Sequence, residues 1–118
     1  MFKLERLETW RKAIQFADRV YCVTKTVPDD ARFGLTSQMR RAAVSISSNI
    51  VEGTPRDTRD DYARFLEFAT GSNFEMILRS FISRNQGFLT EQNFQAVYTA
   101  AEEPSRMLSG LRRSLRSP

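Results

Sequence analysis

Apolar residues spaced alternately three and four apart limit the fold of this chain most narrowly. The last segment shows them without a gap: Phe94, Val97, Ala101, Pro104, Leu108, Leu111 and Leu115. That period belongs to an α-helix burying one stripe. Three earlier segments repeat the pattern, and short polar breaks separate all four. The expected helices cover about 9–25, 36–52, 59–84 and 91–116. Breaks this brief between long helices favour antiparallel neighbours, hence an all-α, up-down-up-down, antiparallel four-helix bundle. At 118 residues one domain with one core is expected.

Local signals place the ends. Thr9 and Thr36 are candidate N-caps of the first two helices, Gly53 stops the second, and Pro28, Asp29 and Asp30 separate them. Thr58 followed by Asp61 resembles a capping box, and Thr90 offers a cap to the last helix. Gln86 and Gly87 form the turn before it. Pro104 predicts a kink rather than a break, at a cost of about 3 kcal/mol.

Apolar residues are in surplus. The first helix carries a core seam, Leu7, Trp10, Ile14, Ala17, Tyr21 and Thr24, and a second row, Ala13, Phe16, Val20, Val23 and Val27. The second helix gathers Leu35, Met39, Ala42, Ala43, Ile46, Asn49 and Ile50 on one face, with alanines small enough for close helix approach. The third begins with an ordinary seam of Tyr62, Phe65, Leu66 and Ala69, then sets Phe74, Ile77, Leu78, Phe81 and Ile82 almost all round its axis. Exposed apolar surface of that extent is a liability in a monomer. The expected cover is a second copy, with Phe16, Val20, Val23, Phe74, Leu78, Phe81 and Ile82 as candidate oligomer interface.

The chemistry is defined by what is missing. The chain has no histidine, which removes Ser-His-Asp and Cys-His nucleophilic systems, zinc proteases and Glu-x-x-His di-iron sites. Its five glycines are scattered and form no phosphate loop. Cys22 is the lone cysteine; it fits a reducing compartment and reads as a small core or interface residue. Met1 to Glu5 lack the apolar stretch of a signal peptide and no apolar run could span a bilayer, so a cytoplasmic address is expected, with no membrane partner. Adjacent acids such as Asp60 and Asp61 point about 100° apart on a helix and read as solvated charge. Glu52 and Glu75 could be partly buried and would then want arginine partners; with Asn49 they are the candidate structural polar residues. No catalytic, cofactor or metal residue is assigned, and no small-molecule substrate is expected.

Net charge is +4, and its excess lies at the end of the chain: Arg106, Arg112, Arg113 and Arg116 follow the last acid, Glu103. Fifteen of the 18 basic residues are arginine, the side chain that forks onto carboxylate or phosphate. Arg40, Arg41, Arg56, Arg59, Arg64, Arg112, Arg113 and Arg116 are candidate nucleic-acid contacts, especially if an oligomer repeats them. The competing reading gives the arginines to structure and to a protein partner.

The run LTSQMRRAAVSISSNIVEG at residues 35–53, then R-x-x-x-x-x-Y-x-R-F-L from Arg56 and GSNFE at 71–75, resembles the four helix bundle protein family, also called the 23S rRNA intervening sequence proteins. The resemblance runs from about Leu7 to Leu115. It implies a left-handed up-down bundle assembled as a homopentamer with no established enzymatic activity, and a kinship with the basic accessory protein of diversity-generating retroelements, a branch associated with nucleic acid. It marks Arg40, Arg41, Ser45, Asn49, Glu52, Gly53, Arg56, Phe65, Leu66, Gly71, Ser72 and Glu75, mainly as architecture. Thr70 stands where the family commonly has a basic residue, and Val51 where it has alanine.

Overall fold

The structure is a computed structural model that describes the backbone of residues 4–25, 27 and 32–116, and the side chains of 8–25, 27 and 34–115. Four helices carry it: α1 Leu4–Thr24, α2 Ser37–Gly53, α3 Arg59–Asn85 and α4 Glu91–Arg116, with a short π-helical segment, Arg32–Thr36, leading into α2. They form an all-α four-helix bundle measuring 48 × 20 × 19 Å. At 1.5 Å per residue, α3 alone spans about 40 Å of that length.

Side-chain contacts give the order and direction of the helices. Trp10 Nε1 donates to Thr54 Oγ1 at 2.9 Å and Arg40 Nε donates to Thr24 Oγ1 at 2.8 Å, so the start of α1 meets the end of α2 and the reverse. Ser72 to Ser45 at 3.0 Å, with Ser83 to Met39 Sδ at 3.5 Å, sets α3 against α2 in the same opposed sense. Asn73 to Ser105 at 2.8 Å and Arg84 to Glu91 at 3.7 Å do so for α3 and α4. Lys12 to Glu103 at 2.7 Å closes α4 onto α1.

One apolar core runs along the axis. Ile46, Ile50, Tyr62, Leu66, Phe94, Val97 and Leu108 are among its fully covered side chains. The row Ala13, Phe16, Val20 and Val23 on α1, with Val27 just beyond it, lies in this core, whereas Ile14 and Tyr21 of the expected seam are exposed. The second row is therefore the central one, and the expected seam joins the core only through Ala17, Thr24 and the partly buried Trp10. The two rows sit so close on the helix that period alone does not say which is central, and the uninterrupted apolar row wins. Leu7 belongs to that reading, but its side chain lies outside the described residues.

Several end signals read differently in three dimensions. Thr58 is extended and accepts from the Asp61 amide at 3.1 Å, and Thr90 accepts from Asn93 at 3.0 Å, so both caps form as expected. Thr9 is buried inside α1, which starts earlier, at Leu4. Thr36 is helical and makes no cap, because the π-helical turn feeds directly into α2. Gly53 is itself helical; a Cβ there would lie 2.8 Å from Phe65 Cβ and 3.0 Å from a Tyr62 ring carbon, so closeness to α3 accounts for it rather than helix termination. Gly87, at φ 82°, makes the α3–α4 turn. Pro104 lies within α4, which continues past it as one helix. The expected break at Pro28 to Asp30 lies outside the described residues.

Candidate functional site

The outer face of α3 is the most unusual surface of the molecule. Phe74, Leu78 and Ile82 stand one turn apart and are 65%, 58% and 38% exposed. The same half of the helix turns Asn73, Met76, Ser80 and Ser83 inward. A helix normally hides its large apolar residues and shows its polar ones. Here the inward serines donate to protein acceptors, Ser80 to the Ile77 carbonyl at 2.6 Å and Ser83 to Met39, so they are tolerated inside. Phe81 is half-buried and packs edge-on against Phe94 at 4.8 Å and Tyr98 at 5.8 Å. Arg84 caps that aromatic group, 4.3 Å from the Phe94 ring centre.

Of the seven expected interface residues, Phe74, Leu78 and Ile82 lie free on the surface and Phe81 joins them at one edge. Phe16, Val20 and Val23 do not; they are enclosed by the chain's own core and have no free face to offer. The exposed apolar residues of the first two helices are Ile14, Tyr21, Val44 and Val51, which the sequence reading did not single out as interface.

The arginines fall into two ends. Arg56, Arg59, Arg64, Arg112 and Arg113 lie where α2 ends, α3 begins and α4 finishes, and Arg40 and Arg41 lie at the opposite end. Most at the first end are engaged. Arg56 lies 4.9 Å over Phe65 and donates to the Glu52 carbonyl, Arg64 faces Asp61 at 3.6 Å, and Arg112 faces Glu67 at 3.7 Å. Arg40 is held between Thr24 and the Tyr21 ring. Arg41 and Arg113 are exposed and make no ion pair among the described residues. Arg59 is exposed; the Arg116 side chain lies outside the described residues.

The two acids expected to be partly buried are not. Glu52 is exposed, and Glu75 is exposed with only a long 3.9 Å pairing to Arg79. Each projects from an outer helix face, where water solvates it and no burial forces a partner. Asn49 is half-buried and donates to Ser45 Oγ and its carbonyl, a bond within α2. Cys22 is exposed rather than in the core.

Two shallow grooves stand out among the described residues. One, about 650 Å³, runs between α1 and α4 past Lys12, Asp18, Arg19, Cys22 and Glu103. In it the Glu103 carboxyl is held below its ordinary range, first by the hydrogen bond from Lys12 and then by Arg106. The one ion pair within its lining, among the described residues, is Lys12 with Glu103. The other, about 590 Å³, lies along α4 and is lined by Ser105, Arg106, Ser109, Arg112 and Arg113. Among the described residues no group of three acids or cysteines could hold a metal, and no helix is long and apolar enough to cross a membrane.

The family of 23S rRNA-intervening sequence proteins matches residues 5–110. The chain belongs to that family. Among solved structures, a protein of unknown function from the S23 ribosomal protein family of Bacteroides thetaiotaomicron VPI-5482 superposes with a TM-score of 0.84. The two are 19% identical, and the match covers 93% of this chain and 99% of that one. At that identity the likeness is one of fold. No curated protein matches the sequence.

Proposed function

We propose that this chain is a non-enzymatic interaction protein that assembles with copies of itself through the outer face of α3, and so presents a repeated scaffold to a protein partner. The observation that carries the reading is the inverted half of α3, which places Phe74, Leu78 and Ile82 in solvent opposite a buried face of Asn73, Ser80 and Ser83. Three large apolar residues one turn apart form the kind of stripe a neighbouring helix covers. A second apolar set, Ile14, Tyr21, Val44 and Val51, belongs to α1 and α2, so the two surfaces are different patches. A contact pairing one patch with the other is heterologous, the kind that builds a ring when the rotation between copies closes. The family resemblance sets the expected number of copies at five.

Sedimentation equilibrium at micromolar concentration tests this. The expected mass is several times the 13.6 kDa of one chain, and Leu78→Lys with Phe74→Lys reduces it to 13.6 kDa while the helical circular dichroism persists. A mass of 13.6 kDa for the unaltered protein overturns the reading.

A further inference from the structure

We infer that the outward flank of α4 from Ser105 to Arg113 is a binding site for the phosphodiester backbone of a nucleic acid strand. The site shares no residue with the α3 stripe, so it stands or falls separately from self-association.

The groove is lined by three guanidiniums and two hydroxyls, with no acid in the lining. Its residues recur at 105, 106, 109, 112 and 113, spacings that keep them on one side of the helix. Arg113 has no ion pair among the described residues. Arg106 and Arg112 reach acids only at 3.2–3.7 Å across well-hydrated rims. Pairs of that kind hold little free energy and can be exchanged for phosphate.

Ser105 is prepared from behind. Asn73, 2% exposed, donates from Nδ2 to Ser105 Oγ at 2.8 Å and to the Ala101 carbonyl at 3.4 Å. The carbonyl fixes the amide orientation, because an oxygen in the place of Nδ2 would face another oxygen. Ser105 Oγ is therefore an acceptor toward Asn73 and keeps its own proton for the groove. Ser47, Ser80 and Ser114 instead spend theirs on a carbonyl of their own helix. Ser109 makes no such bond among the described residues and lines the same groove.

The shape selects a strand over a small phosphorylated metabolite. The lining spans about 12 Å of helix, and its cations are strung along that length instead of converging on one point. No aromatic or aliphatic wall in it could enclose a base or sugar. Guanidiniums in a row along an open groove suit successive phosphates.

The test is fluorescence anisotropy on the full chain with labelled 20-nucleotide RNA and DNA single strands and a 20-base-pair duplex, with inorganic pyrophosphate as competitor, at 50 and 200 mM salt. The expected result is binding that weakens at least tenfold between the two salts and that pyrophosphate displaces only at millimolar concentration. Arg112→Ala with Arg113→Ala should lose at least tenfold at 50 mM salt. Arg19→Ala with Lys25→Ala, which removes the same charge from exposed positions elsewhere, should lose less than threefold. Glu67→Gln frees Arg112 and should tighten binding a few-fold, a gain that loss of fold could not produce. Absence of binding at 50 mM salt, displacement by micromolar pyrophosphate, or equal losses in the two double variants overturns the assignment. The sedimentation mass of each variant reports separately on α3.

Discussion

Helices α3 and α4 are nearly equal in length and adjacent in the bundle, yet they use their apolar residues in opposite ways. In α4, Phe94, Val97, Ala101, Pro104 and Leu108 are buried and the outward flank is charged. In the second half of α3 the buried positions are Asn73, Met76, Ser80 and Ser83, while Phe74, Leu78 and Ile82 face out. The difference separates stabilising a bundle from meeting something outside it. Burial already accounts for the apolar side of α4, whereas α3 holds apolar surface in water that the fold itself does not require. Where the first half of α3 turns the larger Tyr62 and Phe65 toward α2, the small partner is instead Gly53 on α2.

The largest effect expected from this contrast is on stability. Leu108→Ala opens a cavity in the core and should cost about 2–5 kcal/mol, read as a lower urea midpoint that is independent of protein concentration. Leu78→Ala removes as many atoms from an exposed position and should leave the isolated chain within about 0.5 kcal/mol of its starting stability. Any midpoint shift it causes should grow with protein concentration, since it acts through association. Equal, concentration-independent losses at both positions would mean that α3 is no different from α4. Gly53→Ala comes next, at about 1–3 kcal/mol, because the clashing atom is Phe65 Cβ, which cannot swing away as a side-chain tip would. A Gly53→Ala protein that melts unchanged would show that α2 and α3 can separate at this end without cost.

The same contrast explains what was readable in the sequence. The single stripe of α4 and the caps at Thr58 and Thr90 depend on neighbours three and four residues away, and each formed as expected. The surplus on α3 was legible too, because too many large apolar residues lie around one axis. Which row of α1 is central was not, since rows so close on a helix share a period, and only the positions of α2 and α4 choose between them. Thr36 and Gly53 misled for a similar reason: a π-helical turn and a 2.8 Å approach are tertiary facts. On α4 the arginines Arg112 and Arg113 stood out by charge. Ser105, Arg106 and Ser109 were missed as part of one groove, although their spacing to Arg112 was visible; the role of Ser105 depends on Asn73, on another helix.

The smallest expected effect separates the two helices by the kind of bond that anchors each. Neutral groups tie the middle of α3 to its neighbours, through Ser72 to Ser45 and Asn73 to Ser105. An ion pair ties α4 to α1, with Lys12 2.7 Å from Glu103. Lys12 and then Arg106 hold the Glu103 pKa below its ordinary value, so folding favours the ionised carboxylate. Its stabilisation is complete above the unfolded carboxylate pKa and is lost as pH falls through the depressed folded value. Glu103→Gln should therefore lower the melting temperature slightly at neutral pH and not at all once the pH is below that folded value, and added salt should shrink the neutral-pH difference. Ser72→Ala, which breaks a neutral link, should shift melting by the same small amount at every pH and salt concentration. If the two variants respond alike to acid and salt, the Lys12–Glu103 pair does not anchor α4 and the electrostatic half of the contrast is gone.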